Sequence, residues 1–193
     1  MPNRLTKSII MLAVIIAGFA VAYVIFNNTG HVLIGETQNQ ASVIANSNKS
    51  GVVIDPSKVY EVTDVVDGDT FKVMNGNREV TVRMLGINTP ETVDPRKAPE
   101  CYGKEASDET KELLKGGEVR LELNPNREKY DIYGRILAYV YLPSGLFVNE
   151  YLVQNGYARE YTVGSPYEYQ KQFRSDEKSA RNELLGLWRI CYK

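Results

Sequence analysis

The sequence predicts a protein of the α+β class, mostly β with about three helices, preceded by one N-terminal transmembrane helix. Stretches in which apolar and polar residues alternate, as in half-buried strands, occur three times, and twice more after a segment with helical spacing. Two further helical segments follow, and an uncharged run of 18 residues stands before all of these elements. This order is typical of a five-stranded Greek-key barrel of the OB type with added helices.

The uncharged run, Ile9–Phe26, has the length of a membrane anchor. As a helix rising ~1.5 Å per residue it spans roughly 27 Å, close to the thickness of a bilayer's hydrocarbon core. Arg4 and Lys7 precede it, and no charged residue follows before Glu36. Because positive charge stays on the cytoplasmic side, residues 1–8 are predicted to be cytoplasmic and the chain after the anchor to lie outside the cytoplasm, on a single-pass cell-membrane protein.

A cleaved signal peptide is the alternative interpretation of this segment. Ala20-Val21-Ala22 resembles a cleavage site, and cleavage after Ala22 would release a secreted protein. The apolar run continues through Tyr23–Phe26, which favours an uncleaved anchor at 9–26. Residues 27–57 are rich in Asn, Ser, Thr and Gly and are predicted to be a flexible linker, and residues 58–193 to be the folded domain.

Turn residues divide the predicted domain into its elements. Asp67-Gly68 separates the first two strands, Gly116-Gly117 ends the first helix, and Asn155-Gly156 ends the second. The loop 88–102 contains three prolines, and loops of this length in compact domains are often functional. The strands are predicted at 58–66, 69–74, 78–87, 119–123 and 135–142, and the helices at 103–114, 148–154 and 167–185.

Composition excludes several classes of enzyme. The one histidine, His31, lies in the predicted linker, which excludes Ser-His-Asp, Cys-His and HExxH chemistry in the domain. Cys101 and Cys191 either form a disulfide, which an oxidising compartment would favour, or remain two separate thiols. All but three of the 23 basic residues and all but two of the 24 acidic ones fall in 58–193, which gives this part a net charge of −2. Nucleic-acid binding, which normally rests on a basic surface, is therefore expected to be weak and salt-sensitive.

Four short clusters at predicted strand ends supply the groups that phosphodiester hydrolysis needs. Asp69 and the loop Asn88–Glu91 offer oxygens that suit a hard cation, and a carboxylate that can orient or deprotonate a water. Arg83 and Arg135 offer forked, permanently charged donors to phosphoryl oxygens. Taken singly, each cluster is explained as a turn or a solvated strand residue. Together they predict a site on one face of the barrel.

The same clusters belong to five motifs that occur in order between Val59 and Trp188: VVDGDTFKV, TVRMLGINTPET, YGKEAS, EKYDIYGRILAYVYL and FVNEYLVQNGYA. With these motifs the chain resembles the thermonuclease (staphylococcal nuclease) family, calcium-dependent phosphodiesterases of the OB type. The resemblance implies an endonuclease acting on DNA and RNA, preferably single-stranded, that leaves 3′-phosphate ends. It also implies a monomer, which the predicted anchor would hold at the membrane.

The resemblance further implies the ligands of a calcium ion, Ca²⁺. The carboxylate of Asp69, the side-chain oxygen of Asn88 and the backbone carbonyl of Thr89 would bind the ion directly. Asp67 would lie just behind them, near the metal.

Catalytic and substrate-binding roles follow from the same resemblance. Arg83 and Arg135 would clamp the scissile phosphate, and Glu91 would hold the attacking water as general base or as an orienting group. Tyr133 would donate a hydrogen bond to a terminal phosphate, and Tyr161 would lie near the base.

Three positions depart from the family pattern. The best-known member has an aspartate where this chain has Asn88, so the cation loses one negative ligand. A basic residue often stands where this chain has Ile132. The tyrosine pair that sandwiches the base falls on Thr162 and Gly164, with Tyr161 nearby. An alternative is a non-catalytic OB-fold module that binds nucleic acid or a protein, but the sequence keeps both arginines and the glutamate, which favours an enzyme.

Overall fold

The computed structural model describes residues 52–96 and 98–192. In this part of the chain there are seven strands, β1 to β7, and four helices, α1 to α4. The strands are β1 (Val59–Asp67), β2 (Thr70–Asn75), β3 (Arg78–Met84), β4 (Ile87–Asn88), β5 (Glu118–Glu122), β6 (Ile136–Tyr141) and β7 (Arg159–Glu160). The helices are α1 (Gly103–Leu114), α2 (Val148–Gln154), α3 (Gln170–Asn182) and α4 (Leu187–Ile190).

Five of the strands close into a barrel in the order β1-β2-β3-β6-β5. Neighbours are antiparallel except β3 and β6, which run parallel with Val82 opposite Ile136. The alternation seen in the sequence places Phe71, Val73 and Val82 inside, where each is fully buried. The predicted five-stranded barrel is confirmed, and its closure leaves no unpaired edge among these strands.

The third strand is shorter than predicted, because the chain turns at Gly86. The prediction ran to Ile87, but β3 ends at Met84 and Gly86 takes a φ of 82°. The ring of Tyr167 fills the place of a side chain there, since a Cβ on Gly86 would lie 2.6 Å from it. Ile87 then starts β4, which pairs with β7 outside the barrel. The turn therefore lifts the following loop away from the barrel wall.

The last predicted helix, 167–185, is also shorter in the structure. Helix α3 spans Gln170–Asn182, because Tyr167 is held by a hydrogen bond from its hydroxyl to the Gly86 carbonyl at 2.9 Å. At the other end Leu184 adopts a φ of 53°, which ends the helix. A fourth, four-residue helix, α4, was not predicted because it is too short to show helical periodicity.

The N-terminal predictions fall mostly outside the described residues. The cytoplasmic segment 1–8, the anchor 9–26 and residues 27–51 of the predicted linker all lie there. Among the residues that are described, no helix has the length and apolar character to cross a membrane.

The cysteine pair forms a disulfide. Cys101 and Cys191 are 90 residues apart in sequence, and their Cα atoms lie 6.0 Å apart. The bridge joins the residue two positions before α1 to the residue after α4. Of the two alternatives left by the sequence, the bridged one is confirmed.

Candidate active site

A cavity of about 650 Å³ opens at the end of the barrel where β1 turns into β2. Its walls come from that turn, from the end of β3 and the loop after it, from the segment before β6, and from the loop after β7. The cavity brings together all eight residues that the sequence predicted for the site: Asp69, Arg83, Asn88, Thr89, Glu91, Tyr133, Arg135 and Tyr161.

The turn between β1 and β2 is packed tightly against the loop that follows β4. Asp67 is buried and accepts hydrogen bonds from the Gly68 N–H at 2.8 Å and from the Thr92 hydroxyl at 2.6 Å. Gly68 has no room for a side chain, because a Cβ there would lie 2.7 Å from Oγ1 of Thr89. Thr110 on α1 donates to the Gly68 carbonyl at 2.6 Å. Asp67 therefore fixes the loop that carries Thr89.

Asp69 lies at the floor of the cavity and is only 6% exposed. Its Oδ2 accepts hydrogen bonds from the Thr89 N–H at 2.9 Å and from Nη2 of Arg83 at 2.9 Å. Its Oδ1 accepts one from the Thr70 hydroxyl at 3.0 Å. These bonds satisfy both oxygens of a buried carboxylate, which would otherwise be costly to bury.

Arg83 extends from β3 into the same floor. Its Nη1 donates to the carbonyls of Met84 at 3.0 Å and Ile87 at 2.9 Å. Its Nη2 donates to Oδ1 of Asn88 at 2.9 Å as well as to Asp69. The four N–H groups on the two Nη atoms thus have four protein acceptors, which hold the guanidinium plane in one orientation.

Burial lowers the pKa of the Arg83 guanidinium, Asp69 opposes this, and the like charge of Arg135 adds to the lowering. Both arginines line the same cavity. An anion placed between them would relieve their mutual repulsion.

Arg135, just before β6, is oriented by Asp131. Its Nε donates to Oδ2 of Asp131 at 2.6 Å, and its guanidinium carbon lies 5.3 Å from the centre of the Tyr133 ring. Burial alone would raise the pKa of Asp131, but hydrogen bonds from the backbone and side chain of Arg135, together with its charge, lower it. The remaining N–H groups of Arg135 are directed at the cavity side, where Nη1 lies 3.5 Å from the Thr70 hydroxyl.

Glu91 lies on the cavity wall, within the loop after β4. Its Oε1 accepts a hydrogen bond from the Val93 N–H at 2.7 Å, and its backbone carbonyl accepts one from the Glu100 N–H at 2.8 Å. These bonds fold the loop back on itself. The side chain is partly exposed, so a water can reach its carboxylate.

The two predicted substrate-binding tyrosines lie at the mouth of the cavity. Tyr133 is 77% exposed and Tyr161 is 50% exposed. The Tyr161 N–H donates to the Gly86 carbonyl at 2.9 Å, which fixes its backbone to the turn after β3. Both side chains are therefore accessible at the mouth, although the guanidinium of Arg135 lies over one face of the Tyr133 ring.

The oxygens at the cavity floor fit a hard cation. Oδ2 of Asp69 and Oδ1 of Asn88 are each 2.9 Å from the same Nη2 of Arg83, so they lie no farther apart than twice that distance. Two oxygens that bind one calcium ion, each about 2.3–2.6 Å from it, can likewise lie no farther apart than twice that distance. Carboxylate, amide and carbonyl oxygens are also the donors that calcium prefers. In the described part of the chain, no group of three or more His, Cys, Asp or Glu side chains suited to a metal occurs.

Two residues at the cavity were not singled out from the sequence. Asp131, which orients Arg135, stands four residues before it in the same motif, so the spacing could have identified it. Arg127 donates to the backbone carbonyls of Val163 and Ser165 and so attaches the loop after β7 to the segment before β6. No local pattern predicts Arg127, because its partners are 36 and 38 residues away.

Fold and cavity define an OB-type barrel protein in which two arginines and a cluster of oxygen donors line one cavity. The family model described as "Staphylococcal nuclease homologue" matches residues 81–190. The chain belongs to the staphylococcal nuclease family. The resemblance stated from the sequence is confirmed, and with it the prediction that the chain is a nuclease enzyme.

Several relatives share this region. A thermonuclease of Staphylococcus hyicus is 40% identical over 131 residues, which is 68% of this chain and 76% of the relative. Endonuclease YncB of Bacillus subtilis (strain 168) is 42% identical over 124 residues, 64% of this chain and 58% of the relative. The SPbeta prophage-derived endonuclease YokF of the same organism is 46% identical over 125 residues, 64% of this chain and 41% of the relative. The two Bacillus proteins therefore extend well beyond the shared region.

Proposed function

We propose that this protein is a calcium-dependent endonuclease that hydrolyses phosphodiester bonds in DNA and RNA and leaves 3′-phosphate ends. The observation that carries the proposal is the convergence of Asp69 and Asn88 on Arg83, with Arg135 in the same cavity. Oxygen donors for a cation and paired donors for a phosphate are the two requirements of phosphodiester hydrolysis that a protein must supply in one place. The names of the relatives, thermonuclease and endonuclease, support the same activity.

Asp69, Asn88 and Thr89 would hold the calcium ion. When bound, calcium neutralises charge on the phosphoryl oxygens. Calcium on Asp69 and Asn88 would take the oxygens that Nη2 of Arg83 now bonds. Because the guanidinium is a rigid plane, it would turn toward the phosphate as a whole and give up the bonds from Nη1 to the carbonyls of Met84 and Ile87 in the same movement.

Arg135 would bind the same phosphate from the other side. Asp131 holds its Nε, which leaves the Nη edge for a phosphoryl oxygen. Arg135, oriented by Asp131 before the substrate arrives, would stabilise the charge that develops in the transition state at little cost in reorganisation. Removing one such donor typically lowers the rate by about 10²–10³.

Glu91 would accept a proton from the attacking water or orient it, and Tyr133 would donate a hydrogen bond to a terminal phosphate. Tyr161 would support the base at the mouth of the cavity. One partly exposed carboxylate is enough for this proton transfer. The hydrogen bond from the Val93 N–H holds the carboxylate of Glu91 in position.

We also propose that the nuclease acts outside the cytoplasm as a monomer tethered by residues 9–26. This rests on the length of the uncharged run and on the placement of Arg4 and Lys7 before it. Digestion of added DNA by intact cells tests the location. Activity found only after cell lysis would contradict it.

The activity is tested with the full-length protein in mild detergent, with single-stranded DNA, duplex DNA and RNA as substrates. We expect cleavage with calcium and none with a calcium chelator. Direct 5′-labelling of the products by a polynucleotide kinase would show 5′-hydroxyl ends and hence 3′-phosphates. Cleavage that continues in the chelator would contradict the calcium requirement.

The residue roles are tested with Arg83→Lys, Glu91→Gln and Arg135→Ala. Each is expected to lose about 10²–10³ in rate while keeping a native circular dichroism spectrum. Arg83→Lys and Arg135→Ala should also lower the melting temperature, because each removes bonds to partly or fully buried acceptors. Matched controls are Arg120→Ala and Glu112→Gln, since both residues are exposed and lie outside the cavity. Wild-type rates in all three site variants would contradict the assignment of the site.

A further inference from the structure

The mouth of the cavity carries an unusually exposed isoleucine. Ile132 is 92% exposed, and the adjacent Tyr133 is 77% exposed. Exposing an isoleucine to this extent leaves nearly its whole apolar side chain in water, where burial against another apolar surface would be favourable. Val163, 57% exposed, lies on another wall of the same cavity. The mouth is therefore rimmed with apolar side chains, whereas its floor is ionic.

The turn that presents Ile132 is rigid. Oδ1 of Asp131 accepts hydrogen bonds from the backbone N–H groups of Tyr133 and Arg135, both at 2.9 Å. The Asp131 N–H donates to the Arg135 carbonyl at 3.0 Å, and Gly134 closes the turn with a φ of 79°. Because the same carboxylate also holds the guanidinium of Arg135, Ile132 stands at a fixed position relative to the phosphate-binding group.

The chemistry of this position limits what it can contact. A phosphate bound by Arg135 is joined through one sugar to a base, and Ile132 lies three residues before Arg135 in the turn that Asp131 closes. The sugar and the base are therefore the parts of a bound strand that can reach its side chain. Ile132 has no group that can bind a phosphate. The apolar surfaces that a nucleic acid offers are the faces of its bases, and these faces are covered by stacking in a duplex but accessible in an unpaired strand.

We propose that Ile132 is a specificity-determining residue that packs against the face of an unpaired base next to the phosphate bound by Arg135. The proposal rests on the proposed nuclease function. Contact with a base face is available mainly in single-stranded substrates, so Ile132 favours unpaired over paired nucleic acid. The contact adds affinity without adding charge, which suits a domain whose net charge is slightly negative.

The test compares Ile132→Ser with wild type in the full-length, calcium-loaded protein. Substrates are a thymidine oligonucleotide, an oligonucleotide of the same length built from stable abasic units, and a DNA duplex. We expect kcat/KM on the thymidine strand to fall about fivefold, through a higher KM, and to change less than twofold on the abasic strand and the duplex. Ile190→Ser is the matched control, because Ile190 is 50% exposed and lies outside the cavity.

Salt dependence gives a second readout. Since no phosphate contact is removed, the slope of log(kcat/KM) against log[salt] should be the same in Ile132→Ser and wild type. An equal loss on thymidine and abasic strands, or a changed slope, would overturn the role of Ile132. Absence of cleavage of every substrate by the wild type would instead overturn the proposed function.

Discussion

The disulfide between Cys101 and Cys191 should contribute a large part of the stability of the folded domain. The perturbation is the double replacement Cys101→Ser and Cys191→Ser, which leaves no free thiol. The bridge closes a loop over a sequence separation of 90 residues. In the chain-entropy model, closing a loop of this length lowers the entropy of the unfolded chain. This raises the free energy of the unfolded state by about 4.6 kcal/mol at 25 °C.

The folded state should change little when the bridge is removed. Leu187 and Trp188, which precede Cys191, are 0% and 4% exposed. The Leu187 N–H also donates to the Gly156 carbonyl at 2.9 Å. Packing therefore holds α4 in place independently, so the main effect of the replacement lies in the unfolded chain. For a domain of this size, about 4.6 kcal/mol corresponds to a fall in melting temperature of roughly 10–18 °C.

Urea unfolding, followed by circular dichroism, measures this difference for wild type and the double variant. We expect a loss of about 3–5 kcal/mol for the variant, and the same loss for wild type treated with a reducing agent. The reducing agent should not change the variant, which is the control. A loss below about 1 kcal/mol, or two reactive thiols in the denatured and unreduced wild type, would refute the reasoning.

Three further predictions concern the cavity. Gly68→Ala should destabilise the protein by about 1–3 kcal/mol and lower its activity, because the new Cβ would displace Thr89. Gly116→Ala is the control and should change neither, since nothing lies within 4 Å of a Cβ there. Thermal unfolding measures the stability of both variants, and a rate assay measures their activity. Asn88→Asp should lower the calcium concentration for half-saturation roughly three- to tenfold, because a carboxylate adds charge to the cation site; a calorimetric titration that shows no change would contradict its role as a ligand. The pKa of Asp131 is lowered from 3.8, so Asp131 should stabilise the fold above that value and lose this contribution as pH falls through its lower folded pKa. The difference in unfolding free energy between wild type and Asp131→Asn should therefore shrink as pH falls below about 4.

Local patterns in the sequence were sufficient to predict most of the elements. Alternation of apolar and polar residues reports which face of a strand is buried, and it located the five barrel strands within one or two residues, apart from the end of β3. Helical spacing located α1 and α2 with their observed bounds. These signals work because each depends on residues that are neighbours along the chain.

The end of β3 shows where local patterns fail. The sequence from Arg78 to Ile87 alternates well enough to be one strand, but the chain turns at Gly86 because Tyr167, 81 residues later, donates to its carbonyl and occupies the space beside it. A contact between such distant residues leaves no periodic mark near either of them. For the same reason Arg127 could not be identified from the sequence.

The sequence indicated which residues would come together in one place, and all of them line the cavity, whereas their arrangement was decided by the tertiary structure. Motif spacing selected Asp69, Arg83 and Asn88, because the chemistry of phosphodiester hydrolysis limits which residue types can take part. Only the closed barrel and the turn after β3 bring Oδ2 of Asp69 and Oδ1 of Asn88 onto one nitrogen of Arg83. Likewise the two cysteines permitted a bridge, but the folding of α4 against the domain set their Cα atoms 6.0 Å apart. Distances of this kind depend on long-range packing, which is fixed by the free energy of the whole fold rather than by any short segment.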